Sequence, residues 1–225
     1  MPPYRLAFCP RAEAERIAES PAALRARFSA AELADLDALT ERRRLDRIAG
    51  RLAAKRALAA HFEAEHGWRP EPADLAVFND AEGRPVLRLP KGAPAPAPSF
   101  SISHCAQGGA AAVAAPGGRV GVDVETVVSR PAEVIAFVAS EAEQASAPPS
   151  NPDAQARLWT AKEAALKLLG LGLGADAKDA NPVGTGVELS GAPAEAWRAL
   201  DSPRLRLDYE RVPDALIAVV CTGEL

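Results

Sequence analysis

Hydrophobic positions along this chain follow two periods, and the switches between them outline its elements. Tyr4-Arg5-Leu6-Ala7-Phe8 alternates and predicts a first strand closed by Pro10. Residues 12–39 predict short helices, with Ser20-Pro21 and Ser29 as starts. Leu45, Ile48, Leu52, Ala59 and Phe62 then recur at helical spacing, which predicts a long helix from about Thr40 to His66, stopped by Gly67. Leu75–Phe78 and Val86–Leu89 read as two strands around the turn residues Asn79–Pro85. The Ala/Pro alternation from Lys91 to Ser99 is an extended loop. Phe100–His104 and Ala110–Ala115 are further strands, and Pro116-Gly117-Gly118 turns into the next. Residues 132–145 read as helical, Ala147–Pro152 as a second Pro-rich loop, and the tail as strands near 185–189, 204–209 and 215–221.

Two stretches stand out from this pattern. Trp159 to Gly170 has no proline or β-branched apolar residue, is rich in Ala and Leu and ends at glycine, so it predicts a helix with a glycine stop. At roughly 100° per residue, Leu158, Ala161, Ala165 and Leu169 gather on one side, and Glu163 and Lys167 lie a turn apart on another. The plainer reading is an i,i+4 Glu–Lys pair on a solvated face. Upstream, Arg119–Glu125 alternates, with Val120, Val122 and Val124 on one face of a strand and Gly121, Asp123 and Glu125 on the other. Carboxylates spaced i,i+2 have Cα atoms about 7 Å apart, too far to share a proton but suited to gripping one hard cation. Glu163 would add a third carboxylate to an oxygen site of the kind Mg²⁺ favours.

Composition narrows the classes. A chain of 225 residues buries a full core in one large domain or two small ones. A net charge of −4 and a pI near 5.5 argue against an obligate nucleic-acid binder. Cys9, Cys105 and Cys221 form no disulfide framework and fit a reducing compartment. No charged leader with an apolar run follows Met1, and no stretch approaches the ~18 apolar residues of a membrane span, so a cytoplasmic protein without a membrane partner is expected.

Other chemistry is thinner. Arg44, Arg47, Arg51 and Lys55 line a stripe beside the apolar face of the long helix, with Arg43 at its edge. Such a stripe is a solvated face or a seat for phosphate. His61 and His66 are five residues apart on a helix, the wrong step for shared ligation, so surface roles are expected. No zinc ligand set is present. His104 and Cys105 point to opposite faces of a strand, which disfavours a Cys–His dyad. The glycine patterns of dinucleotide and P-loop sites are missing.

Phe-Ser-Ile-Ser-His at 100–104, Val-Gly-Val-Asp-Val-Glu at 120–125 and Trp-Thr-Ala-Lys-Glu-Ala-Ala-Leu-Lys at 159–167 occur in that order. Together with the turn at 79–85 and Gly-Arg-Leu-Ala-Ala-Lys at 50–55, they resemble the 4′-phosphopantetheinyl transferase superfamily, in particular its long, single-chain Sfp-type members. The resemblance spans about residues 40–173. It implies an α+β fold, a pseudo-twofold pair of similar α/β halves with the active site in the cleft between them. Residues 1–117 would form the coenzyme A adenine and 3′-phosphate side, and 118–225 the magnesium and carrier-protein side.

The implied activity is Mg²⁺-dependent transfer of 4′-phosphopantetheine from coenzyme A to a serine of an apo acyl, peptidyl or aryl carrier protein of fatty-acid, polyketide or nonribosomal peptide synthesis. It releases 3′,5′-adenosine bisphosphate. Carried over by residue, Asp123, Glu125 and Glu163 match the metal ligands, for Mg²⁺ or alternatively Mn²⁺. Ser103 and His104 match contacts to the coenzyme A phosphates. Gly83, Arg84 and Pro85 match the turn against the adenine, Lys167 a lysine near the pyrophosphate, and Arg43 and Arg51 arginines on the 3′-phosphate. Glu163, Lys167 and His104 are the candidate catalytic residues, with Glu163 the first choice of base for the serine. A monomer is expected, with no nucleic-acid partner. The alternative is a non-catalytic relative that binds coenzyme A or a carrier protein.

Overall fold

The structure, a computed structural model, describes residues 3–222. The chain divides into two compact units, Met1–Gly117 and Gly118–Leu225, and is mixed α+β with small antiparallel sheets.

The first unit runs β1 (Tyr4–Pro10), α1 (Arg11–Ala18), α2 (Pro21–Arg25), α3 (Ala30–Asp37), α4 (Glu41–His66), β2 (Ala76–Asn79), β3 (Pro85–Arg88), β4 (Phe100–Cys105) and β5 (Gly108–Ala114). Ser20 caps α2 through the Ala23 amide, and Ser29 and Glu32 form a capping box on α3. Thr40 precedes α4, and Gly67, at φ +64°, ends it in the left-handed conformation that glycine adopts without strain. The sheet order is β1-β5-β4, with Phe8 opposite Ala110 and Ser103 opposite Ala110 on the two sides of β5. Helix α4 lies on this sheet, burying Ile48, Leu52, Leu58 and Phe62. A methyl at Gly109 of β5 would sit 2.5 Å from the Ala49 carbonyl carbon, so the helix backbone approaches the sheet where no side chain intervenes.

Along α4 the arginine stripe passes from solvent into the interior. Arg43 is exposed, Arg47 is half-buried, and Arg51 and Lys55 are buried, so the stripe is not one solvated face. Lys55 is taken up by the fold. Its Nζ donates to the Glu32 carboxylate at 3.0 Å and to the carbonyls of Pro72 and Leu75 at 2.9 and 2.6 Å. Glu32 is fully enclosed and also accepts from the amides of Ser29 and Val77. His61 is buried against Phe62 rather than lying at the surface, because it falls on the core side of the same helix.

The second unit runs β6 (Val120–Thr126), α5 (Ala132–Ile135), α6 (Glu141–Ser146), α7 (Pro152–Leu168), β7 (Ala180–Val183), β8 (Gly186–Leu189), α8 (Gly191–Arg198), β9 (Leu205–Val212) and β10 (Ala215–Thr222). Its sheet order, β6-β10-β9, repeats the strand order of the first unit: the first strand pairs with the last, which pairs with the one before it. The expected helix over 132–145 is two short ones, because Ser140 and Glu143 form a capping box that starts α6 afresh. Strand β7 and helix α8 were not predicted; β7 carries Pro182, and the Ser190 side chain makes no cap hydrogen bond.

The buried-lysine device recurs. Lys162 of α7 donates to the Ala177 and Ala180 carbonyls at 3.1 and 2.8 Å and sits 2.8 Å from the Glu143 carboxylate. In each unit, then, a lysine of the long helix joins the capping-box glutamate of a preceding short helix to two carbonyls downstream. An ammonium left unpartnered in such a place would cost several kcal/mol, so the contacts are what permit its burial.

Candidate active site

The carboxylates meet where α7 crosses β6. Gly121 makes the crossing close: a methyl there would stand 2.5 Å from the Leu168 amide nitrogen. With α7 against that face, Asp123, two residues along β6, is turned toward the helix and only 4% exposed. Glu163, one residue before Ala164 on the crossing turn, is 8% exposed. Glu125 lies at the half-buried end of the strand. Helix α7 is therefore covered on nearly every side, and Glu163 does not lie on a solvated face.

The charge of Asp123 acts on the other two acids. Burial, followed by the charge of Asp123, pushes the Glu163 carboxyl above the ordinary carboxylate range, and Lys167 opposes the shift. Burial and then Asp123 likewise raise Glu125, with Arg130 and Lys167 opposing. Two cations accompany the group. Lys167 Nζ is 2.6 Å from Asp123 Oδ1, so the lysine bonds across to the strand acid as well as lying a turn from Glu163. Arg130 donates to Glu125 Oε2 at 2.6 Å.

Among the described residues, no three His, Cys, Asp or Glu side chains are arranged to hold a metal ion as they stand. The donor chemistry nevertheless fits a hard divalent cation: a carboxylate, Asp123, whose charge raises the pKa of Glu125 and of Glu163, and no nitrogen or sulfur ligand. Lys167 and Arg130 bond Asp123 Oδ1 and Glu125 Oε2, so a cation entering there would share the carboxylates with two resident positive charges.

The candidate residues of the first unit fall into separate groups. Ser103 is buried and His104 exposed, on opposite faces of β4, so the strand does not present them side by side. Gly83, Arg84 and Pro85 form the exposed β2–β3 turn, with Gly83 at φ +83°. Asp80 braces that turn, accepting from the Arg84 amide at 2.8 Å and Arg84 Nε at 2.8 Å, and Asn79 Nδ2 donates to Gly83 O at 2.6 Å. Arg43 stands apart in solvent.

Arg51 is the most distinctive of these residues. It is 1% exposed and bonds Asp35 Oδ2 at 2.5 Å, yet its buried Nε and Nη1 have no partner. Nearby, the Phe78 ring is flanked by the guanidinium groups of Arg51, at 5.8 Å, and Arg88, at 4.4 Å. Arg47 is bonded to Asn79 Oδ1, and burial and then the charge of Arg51 push its pKa down. Three guanidinium groups thus crowd one aromatic strand beside the turn. Arg88 was not foreseen; its only sequence signal is its place ten residues after Phe78.

Comparison with known proteins bears on the second unit. Residues 119–204 match the 4′-phosphopantetheinyl transferase superfamily. That span contains Asp123, Glu125, Glu163 and Lys167 and leaves the arginine group outside it. The chain is also similar to a holo-[acyl-carrier-protein] synthase of Halalkalibacterium halodurans, 46% identical over 55 residues, which is 23% of this chain. The aligned part spans 43% of that relative's length. The neighbours Arg130 and Gln155 also lie within the matched span and were not singled out from the sequence. Among the described residues no helix is long and apolar enough to cross a membrane.

Proposed function

We propose that this chain is a long, Sfp-type phosphopantetheinyl transferase, moving 4′-phosphopantetheine from coenzyme A to a serine of an apo acyl carrier protein. The observation that carries the reading is the juxtaposition of Glu163 with Asp123 and Glu125, within a span that matches the superfamily. Acyl carrier protein is the first partner to test because the similar protein is named for it.

In this reading Asp123, Glu125 and Glu163 would hold Mg²⁺, which would supply positive charge at the pyrophosphate. Lys167 moves from Asp123 to a phosphate oxygen, so one ammonium serves the carboxylate before substrate arrives and the phosphate afterwards. The serine Oγ attacks the β-phosphorus in line. The new O–P bond forms as the bond to the adenosine bisphosphate oxygen breaks, and that oxygen carries away the electron pair. Glu163 is the first choice to accept the serine proton. Positioning and electrostatic stabilisation contribute most of the acceleration.

The first unit holds the nucleotide. The partnerless Nε and Nη1 of Arg51 are donors suited to the 3′-phosphate, the Gly83–Pro85 turn takes the adenine, and His104 reaches a phosphate from the exposed face of β4. Ser103, matched to the same phosphates, precedes His104 on the buried face of the strand. Coenzyme A brings about four negative charges, and an acidic chain meets them with these local cations.

The test is transfer of labelled pantetheine from coenzyme A onto purified apo carrier proteins. Label on the carrier, lost with EDTA and with Asp123→Ala, is expected. Tight coenzyme A binding with no label on any carrier protein would make the chain a binding relative instead.

A further inference from the structure

Arg130 lies between β6 and α5, five residues beyond Glu125, and three independent contacts fix it. Its guanidinium donates to Glu125 Oε2 at 2.6 Å and to Thr126 O at 3.3 Å. The same group lies 5.5 Å from the Trp159 ring centroid on α7. Its backbone is held from both ends by one side chain: Gln155 Oε1 accepts from Arg130 N at 2.8 Å, and Gln155 Nε2 donates to Arg130 O at 3.0 Å. Gln155 is fully buried, so this amide pair is a fixed fastening of the segment to α7. The Arg130 side chain is only 13% exposed. An ion pair so enclosed and preorganised differs from the solvated pairs that contribute almost nothing.

The charges explain what such a residue does. Asp123, Glu125 and Glu163 would carry three negative charges in a nearly dry site, against which Lys167 and Arg130 set two positive ones. We propose that Arg130 is a resident counter-cation of the carboxylate site, held by Gln155, which neutralises Glu125 before metal binds and thereby lowers the site's affinity for a divalent cation. The inference rests on the reading that these carboxylates hold a metal. Arg130 is a positioning and charge-balancing residue and touches no reacting atom.

Its consequence has a definite sign. A divalent ion entering beside Glu125 is repelled by a guanidinium a few ångströms away, and loss of that charge strengthens cation binding by about tenfold. Without metal the same loss destabilises the fold, because buried carboxylates then face each other with less compensation. A bound cation restores what was lost.

The experiment measures free Mn²⁺ by electron paramagnetic resonance against the full chain, with and without coenzyme A, for wild type, Arg130→Gln and Arg130→Lys. Thermal unfolding is followed with and without Mn²⁺. Arg130→Gln is expected to bind Mn²⁺ about tenfold more tightly than wild type and to gain more thermal stability from it, and Arg130→Lys, which keeps the charge, to stay near wild type. Equal or weaker Mn²⁺ binding by Arg130→Gln overturns the proposal, as does a loss of stability that Mn²⁺ leaves unchanged. Gln155→Leu, close in volume, supplies a second arm: tighter Mn²⁺ supports the proposal and unchanged affinity counts against it. Wild-type protein that binds no Mn²⁺ under either condition overturns the metal reading itself, a result distinct from failure of the Arg130 comparison.

Discussion

The two units are built alike and charged in opposite senses. Each lays a long helix over a three-stranded antiparallel sheet of equivalent strand order, uses a strand glycine where helix backbone and sheet meet, and buries one helix lysine against a capping-box glutamate. Lys55 and Lys162 are thus one device used twice. Beyond it the units diverge. The first sets Arg51 and Arg88 at Phe78 and Arg47 on the neighbouring Asn79, and the second gathers Asp123 and Glu125 of β6 with Glu163 of α7. The residue after each buried lysine shows the change: Arg56, paired with Glu13, in one helix and Glu163 in the other. The shared features are what this scaffold needs in order to fold. The features that differ are where function is to be sought.

That division can be broken at its acid side first. Asp123→Ala is expected to lower pantetheine transfer by about a thousandfold, roughly 4 kcal/mol in the barrier, while circular dichroism and the unfolding midpoint stay near wild type. An active Asp123→Ala enzyme in Mg²⁺ would remove the carboxylates from the chemistry. Next come the two lysines that the units share. Lys55→Met leaves Glu32 buried and is expected to cost about 3–5 kcal/mol in urea unfolding. Lys162→Met should cost less, because the Glu143 carboxylate is partly exposed whereas Glu32 is sealed. Equal and small losses would mean that the device does not support the fold.

Lys167→Met separates function from architecture within α7. It is expected to slow transfer by about 100-fold, near 2.7 kcal/mol, with Mn²⁺ binding retained and with any loss of thermal stability restored by Mn²⁺. Normal turnover, or instability alone, would make Lys167 a structural partner of Asp123. The smallest effect belongs to the first unit, which holds all three histidines. Burial holds the His61 imidazole below its ordinary pKa. As pH falls below about 6.5 the unfolded chain takes up that proton before the folded one does, so stability is full above this value and declines below it. His61→Leu is expected to flatten the midpoint-versus-pH curve between pH 7.5 and 5.5; an unchanged slope would show that His61 is not its source.

How much of this was legible follows from where the information lies. Helix α4 could be read almost to the residue because both its ends are local signals, Thr40 before it and Gly67 after it. Asp123, Glu125 and Glu163 could be read because strand alternation and helix period put them on predictable faces. Lys55 stood between a solvated face and a phosphate seat and His61 was read toward the surface, since helical periodicity orders faces but does not say how deeply a helix is covered. The break between α5 and α6 was signalled by Ser140 and Glu143, a capping box overlooked within an apparently helical run. Arg130 and Gln155 had no such signal: their pairing joins residues 25 apart through a tertiary contact. Arg51 could be named, but its two partnerless donors are a property of the packed interior alone.

The most direct test of the division of labour is calorimetric titration of coenzyme A and 3′-dephospho-coenzyme A into wild type, Arg51→Met and Asp123→Ala, each with and without Mg²⁺. Arg51→Met is expected to lose about 10- to 100-fold in affinity for coenzyme A, little for the dephospho form, and to keep its response to Mg²⁺, since a charge-assisted contact contributes about 1.5–3 kcal/mol. Asp123→Ala should show the reverse, keeping its preference for the 3′-phosphate and losing the Mg²⁺ response. If Arg51→Met weakens both ligands equally, or Asp123→Ala still responds fully to Mg²⁺, the assignment of nucleotide to one unit and metal to the other is wrong.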